Sequence, residues 1–279
     1  MVSAKKTKYK NNKSPSKLRM ADKADKHILY EKSVQCVESE IDFIDNTFKK
    51  KRNRDACLLR EDFCGTTNTS CEWVRRRKKN VAYSVDIDPE VLAWGKKNKV
   101  SKLNGNQIKR IHVINDDVLT VKTRSVDAIL AMNFSYWFFK DRQTMLKYFK
   151  RVHKSLVNDG IFFLDAFGGY EAYQEMEEKT EHNGFAYIWD QESYNPITGD
   201  CQCKIHFKFK DGSKMKNVFT YDWRLWSLPE VTELLTEAGF KPSVYWEGTD
   251  KNGDGNGIFK PTRKGTADAG WIAYIVAEI

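Results

Sequence analysis

The chain has no stretch approaching the roughly 18 uninterrupted apolar residues of a bilayer-spanning helix, so no membrane span is expected. Its amino-terminal lysines are followed by no apolar core, which argues against a secretory leader. Cysteine is sparse: six in 279 residues do not make a disulfide framework. Cys201 and Cys203 alternate within one strand-like segment, but no two further ligands stand near them in sequence, so neither a zinc site nor any other metal site is expected. Reduced, mostly buried thiols in a cytoplasmic protein are the reading that fits. No Ser-His-Asp order offers a competing chemistry.

What is present is ordinary globular material, 41% hydrophobic and 30% charged, in a chain long enough for a full core. The net charge is +9, and seven units of it come from Lys5, Lys6, Lys8, Lys10, Lys13, Lys17 and Arg19. Residues 1–20 contain no acid, and with Asn11, Asn12, Ser14 and Pro15 they read as a disordered basic tail. Such a tail could touch nucleic acid, although a solubilising extension explains it equally well. Two further basic runs, residues 49–54 and 75–79, fall at expected helix ends, where they complement the carbonyl pole.

Residues 21–55 read as a helical segment: Val34, Val37, Ile41, Ile44 and Phe48 recur at spacings of three and four, giving one amphipathic helix or a pair with a turn near Tyr30. Short apolar strands follow at residues 56–59, 81–85, 108–114, 126–132 and 161–164, mostly separated by helices. Asp88-Pro89-Glu90 opens one helix, and Asn158-Asp159-Gly160 closes another. That alternation calls for a doubly wound parallel sheet covered on both faces. Residues 185–192, 202–209 and 214–223 have strand content around an Asp211-Gly212 turn, so an antiparallel insertion is expected over about 183–226. Residues 240–246 and 271–277 supply two last strands, and the polar stretch 248–270 between them reads as a mobile loop. The expected fold is α/β and Rossmann-like: seven strands, mostly parallel, in a domain spanning residues 56–279.

In such sheets ligands lie beyond the carboxyl ends of the strands. Glu61-Asp62-Phe63-Cys64-Gly65-Thr66-Thr67 occupies that position after the first strand, where a turn would aim backbone amides at an anionic group. One glycine is weak support, since a dinucleotide fingerprint needs three. Asp86, ending the second strand, could accept both hydroxyls of a ribose.

The run Arg60-Glu61-Asp62-Phe63-Cys64-Gly65-Thr66 resembles one found in the class I S-adenosylmethionine (SAM) methyltransferase superfamily, in a mostly uncharacterised bacterial-type group. Leu29-Tyr30-Glu31, Asn133-Phe134-Ser135-Tyr136, Gly168-Gly169-Tyr170 and Arg224-Leu225-Trp226-Ser227-Leu228-Pro229-Glu230 support the same resemblance, from about residue 22 onward. The resemblance implies SAM as cofactor. It assigns Asp62, Phe63, Cys64, Gly65, Thr66 and Thr67 to the methionine part, Asp86 to the ribose, and Asp117 with Val118 to the adenine; Arg60, Ile87 and Asn133 are further expected cofactor contacts. The superfamily usually has glycine where this chain has Phe63 and Thr67, so a different backbone path is expected there, with Phe63 packing beside the cofactor.

The Asn133-x-x-Tyr136 spacing resembles Asn-Pro-Pro-Tyr loops that hold an acceptor nitrogen, without their prolines. Asn133 and Tyr136 are accordingly the expected catalytic pair. Tyr136, Tyr170, Arg224 and Trp226 are the expected acceptor contacts, because aromatic residues cluster after strands four and five and in the insertion. Methyl transfer asks mainly for alignment of the acceptor. The expected function is methylation of a small molecule; the alternatives are an RNA or protein methyltransferase and a SAM-binding interaction protein with little turnover.

Overall fold

The computed structural model describes residues 18–251 and 255–279. Most of the basic tail, residues 1–17, lies outside them. Among the described residues no helix is long and apolar enough to cross a membrane.

Five parallel strands form the first half of the main sheet: β1 (Leu58–Asp62), β2 (Val81–Asp86), β3 (Ile111–Asn115), β4 (Val126–Ala131) and β5 (Leu156–Gly168). The sheet is completed by β10 (Lys241–Thr249), β11 (Gly255–Pro261) and β12 (Trp271–Glu278), in the order β11-β10-β12-β5-β4-β1-β2-β3. The strand order reverses between the neighbours β1 and β4, and the crevice above their carboxyl ends is where ligands settle in open α/β sheets. The eighth strand, β11, pairs with β10 inside the stretch expected to be a mobile loop, so that expectation is corrected. Its residues are mostly exposed, as suits an edge strand, and the apolar periodicity that marks buried strands is therefore missing.

The sheet is covered on both faces. Val37–Arg52 (α3) and Asn68–Arg76 (α4) bury Ile41, Ile44, Phe48, Trp73 and Val74 on one side. Arg142–Ser155 (α7) and Leu228–Glu237 (α8) bury Met145, Tyr148, Phe149, Leu234 and Leu235 on the other. Period-two alternation feeds both cores from one strand: on β5, Phe162 joins the α7 side and Phe163 the α3 side. Of the two readings of this segment the helix pair is the one found, but the break between α2 (Lys26–Val34) and α3 falls at Gln35-Cys36 rather than near Tyr30. Pro89–Asn98 (α5) begins as its sequence predicts, with Asp88 capping and proline at the first position, and the one-turn helix Gly105–Ile108 (α6) follows it.

The insertion is a second sheet of four antiparallel strands rather than three: β6 (Met176–His182), β7 (Phe185–Tyr194), β8 (Asp200–Phe209) and β9 (Lys214–Arg224). β6 escapes the sequence reading because its middle residues are exposed and polar. On β8, Cys201, Cys203, Ile205, Phe207 and Phe209 alternate inward. Phe185, Ile205, Phe207 and Phe209 form a third core with Leu29 of α2. Met20 N–H, on the short helix α1 (Met20–Lys23), donates to Asp211 Oδ2 at 2.8 Å, fastening the amino-terminal helices to the far turn of the insertion. Helices and insertion together roof the carboxyl ends of the main strands.

Candidate functional site

The loop after β1 sets the first wall. Phe63, Gly65 and Thr67 take φ of 57°, 50° and 62°, the left-handed region that suits glycine, so two of the three turns are made by residues with a Cβ. Each such residue carries a cost of about 1 kcal/mol or more that its surroundings must offset. The surroundings do so through backbone bonds: Cys64 N–H donates to Val85 O at 2.9 Å and Thr67 N–H to Cys64 O at 2.9 Å. Gly65 N–H donates to Asp86 Oδ2 at 2.8 Å. From behind, Gly95 lets α5 approach; a Cβ there would stand 2.5 Å from Thr66 O. From above, Thr66 Oγ1 donates to Glu31 Oε1 of α2 at 2.7 Å.

This loop borders a cavity of about 710 Å³. It is lined by Phe63, Cys64, Gly65 and Thr66 after β1, Asp86, Ile87 and Asp88 at the end of β2, Asp117 and Val118 after β3, and Asn133 after β4. Burial pushes the Asp86 carboxyl up, while the N–H groups of Asp88 and Gly65 pull it back toward ionisation. Burial pushes the Cys64 thiol far up, so it serves as packing rather than as a nucleophile.

Several expected contacts are elsewhere. On β1, Arg60 and Asp62 alternate with Glu61 and face α7, where they form a buried ion pair (Nε to Oδ1, 2.8 Å) completed by Tyr148 Oη donating to Asp62 Oδ2 at 2.9 Å. Neither lines this cavity; their polar contacts are to each other and to Tyr148. Glu61, passed over in the sequence, is the β1 carboxylate that reaches the cavity. It accepts from the N–H and hydroxyl of Ser70, and burial raises it to about 8. Thr67 is fully buried, its hydroxyl donating to Thr66 O. It shapes the loop without facing the cavity.

Tyr136 is likewise buried: its phenol donates to Asp165 O at 2.8 Å, behind the β4 loop rather than in front of it. Asp165 also accepts from the N–H groups of Asn133 (2.8 Å) and Phe134 (2.9 Å), and burial raises it to about 7. Tyr136 and Asp165 thus hold the loop that presents Asn133. Tyr170 is 60% exposed and borders neither cavity. Arg224 pairs with Glu230 and stacks on Trp226, 3.8 Å from its ring centre, and Trp226 Nε1–H donates to Phe139 O. Both belong to the joint between β9 and α8, where the capping box of Ser227 and Glu230 starts the helix. None of these three lines this cavity or the one described next.

A second cavity, of about 880 Å³, adjoins the first. It shares Tyr30, Met132, Asn133, Tyr221 and Trp223 with the first. Its walls come from α2 and α3, the ends of β5 and β12, and the insertion, whose Tyr187 and Trp189 face inward. Tyr30 and Tyr221 interact through their phenols across the boundary, and burial raises both. Tyr30 was legible only as part of the Leu29-Tyr30-Glu31 run. Glu40, at the first turns of α3, had no sequence signal, because it sits in a helix otherwise read for its apolar stripe.

On the outer part of the insertion, Glu177, Asp190 and His206 bring ligand atoms within 4.8 Å of one another. His206 Nδ1 accepts the Asn217 N–H at 2.8 Å, which leaves Nε2 to carry the proton toward Asp190 Oδ2, 3.1 Å away. With both ring nitrogens engaged, the histidine serves the sheet.

Residues 62–164 match a family model described as "Methyltransferase domain". This segment, from the end of β1 into β5, is thus similar to a methyltransferase domain, and the chain is an enzyme. No curated protein matches it. Among solved structures it is similar to an S-adenosylmethionine-dependent methyltransferase from Clostridium acetobutylicum, with 16% identity, a TM-score of 0.68 and coverage of 91% of this chain and 97% of that one. It is similar also to CalS10, an amino pentose methyltransferase from Micromonospora echinaspora (13% identity, TM-score 0.65, coverage 90% and 95%). A third is the sugar N-methyltransferase KedS8 from Streptoalloteichus (16% identity, TM-score 0.62, coverage 100% and 98%). At these identities the likeness shows a shared fold, an α/β sheet with an antiparallel insertion.

Proposed function

We propose that the chain transfers a methyl group from SAM to a small-molecule acceptor, holding the cofactor in the cavity under the Phe63–Thr66 loop and the acceptor in the cavity under the insertion. One observation carries this reading: the two cavities meet along a wall of Tyr30, Met132, Asn133, Tyr221 and Trp223, at the end of the reversal point in the sheet. Two ligands placed there would meet at that wall.

The residues suit the cofactor. Gly65 faces the first cavity with bare backbone, and a Cβ added there would meet no atom within 4 Å. Asp86 has carboxylate lone pairs left after accepting two N–H groups, and these suit ribose hydroxyls. Cys64, Gly65 and Thr66 would border the methionine part, Ile87 the ribose, and Asp117 and Val118 the adenine. When bound, SAM supplies a methyl group activated by a positively charged sulfur. The chain's own work is to orient the acceptor: Asn133, its backbone held by Asp165, borders the shared wall, and aromatic side chains of the insertion line the space beside it.

The concave space beneath the insertion favours a compact acceptor over RNA or a folded protein, and the fold neighbours that methylate sugars give the same direction. Six free cysteines support a reducing, cytoplasmic setting. The test is isothermal titration of the full chain with S-adenosylhomocysteine (SAH), the demethylated product. Saturable one-to-one binding is expected; a folded chain that binds neither SAM nor SAH sinks the reading.

A further inference from the structure

The acceptor cavity is charged in one sign only. Among the described residues it is lined by the acids Glu40, Asp165, Glu171, Glu178 and Glu247 and by no lysine, arginine or histidine, in a chain whose net charge is +9. Two of these acids are already engaged: Asp165 accepts two backbone N–H groups, and Glu247 accepts the Gly257 N–H. Glu40 differs. It is 7% exposed, and its Oε2 has no hydrogen-bond partner. A buried carboxylate oxygen left without a donor is costly, on the order of 1–3 kcal/mol, unless a ligand supplies one. The remaining walls are rich in rings, among them Tyr187, Trp189, Tyr221 and Trp223, whose faces attract cations.

We propose that the methyl acceptor is an amine that enters this cavity as an ammonium ion, with Glu40 as the carboxylate that receives its N–H. This rests on the methyltransferase reading above. The amine must shed a proton to expose its lone pair. The balanced step has the proton pass from nitrogen to the Glu40 carboxylate, the nitrogen lone pair form the new C–N bond, and the C–S bond break with its electron pair left on sulfur. The groups bearing on Glu40 are consistent with that task. Burial, with Glu38 on its own helix, raises it to about 7, against the Cys36 N–H that lowers it. Its charge also reaches Tyr30 of α2, Glu61 of β1, Asp165 of β5 and Tyr274 of β12, which are all neutral or acidic. A bound cation is the counter-charge this cluster lacks.

The experiment uses the full chain saturated with SAH and three probes of similar shape: phenethylamine, phenethyl alcohol and phenylacetate. Titration calorimetry is expected to give the amine about tenfold or tighter binding over the alcohol, and weaker binding still for the carboxylate. Glu40→Gln should reduce amine affinity about tenfold while leaving SAH affinity and melting temperature near those of the parent, and Glu40→Asp should recover part of the loss. An amine that binds no better than the alcohol to SAH-loaded protein overturns the inference, as does a Glu40→Gln protein with intact SAH affinity and unchanged preference for the amine. Absence of SAH binding in the parent chain would instead remove the reading beneath it.

Discussion

Gly65 N–H donates to Asp86 Oδ2 across 2.8 Å, so one carboxylate at the end of β2 clamps the loop at the end of β1 and faces the cavity between them. Asp86→Ala removes that clamp, the bond from Asp88 N–H, and the carboxylate offered to the ribose. A charged hydrogen-bonding group of this kind is worth about 1.5–3 kcal/mol, so the Kd for SAH should rise about 10- to 100-fold by calorimetry. Unchanged affinity would place the cofactor elsewhere.

Gly95→Ala tests the packing behind the same loop. Alanine is the better helix former by about 1 kcal/mol, yet its Cβ would stand 2.5 Å from the backbone oxygen of Thr66. Neither backbone can yield cheaply, and overpacking of this type costs about 1–3 kcal/mol. A lower melting temperature together with weaker SAH binding is expected. A stabilised protein would mean that the loop moves freely.

Arg60 and Asp62 are predicted to matter for stability and not for the cofactor. Asp62→Ala strands the Arg60 guanidinium in the core, which costs about 3–5 kcal/mol. The double replacement Arg60→Met with Asp62→Leu removes both charges and should restore most of it, read from urea unfolding midpoints. SAH affinity of the double variant should stay within a few-fold of the parent.

Buried acids make stability depend on pH. Glu61 is raised to about 8, and Glu40 and Asp165 to about 7, whereas in the unfolded chain such groups titrate near 4. Between those limits the folded protein holds more protons than the unfolded one. Their contribution is therefore fully present below about pH 4 and is lost as pH rises through 7 to 8, at up to about 1.4 kcal/mol per pH unit for each group. The urea midpoint of the ligand-free chain should fall between pH 5.5 and 8, and Glu61→Gln should flatten that slope. A midpoint that rises over this range would contradict the burial argument.

Much of this molecule was written in local pattern. Apolar runs and cap residues fix the order of strands and helices, and that order alone places the Phe63–Thr66 loop, Asp86, Asp117 and Asn133 at successive strand ends, since side-chain and backbone periodicity act over a few residues. Where an element lacks that pattern, as in β6 and β11, hydrogen bonds to a neighbouring strand decide it.

The tertiary structure decided the facing of each side chain. Alternation along β1 could send either Arg60 and Asp62 or Glu61 toward the cavity, and only packing under α7, where Tyr148 completes the ion pair, determined that Glu61 goes. Tyr136 lies in the loop after β4, and its phenol turns inward to donate to Asp165 O, a direction that no local pattern gives. The acceptor cavity was out of reach of the sequence altogether. Tyr30 and Glu40 meet Tyr221 and Trp223 there from positions more than 180 residues apart, brought together by the packing of the amino-terminal helices on the inserted sheet, a contact that no short-range periodicity encodes.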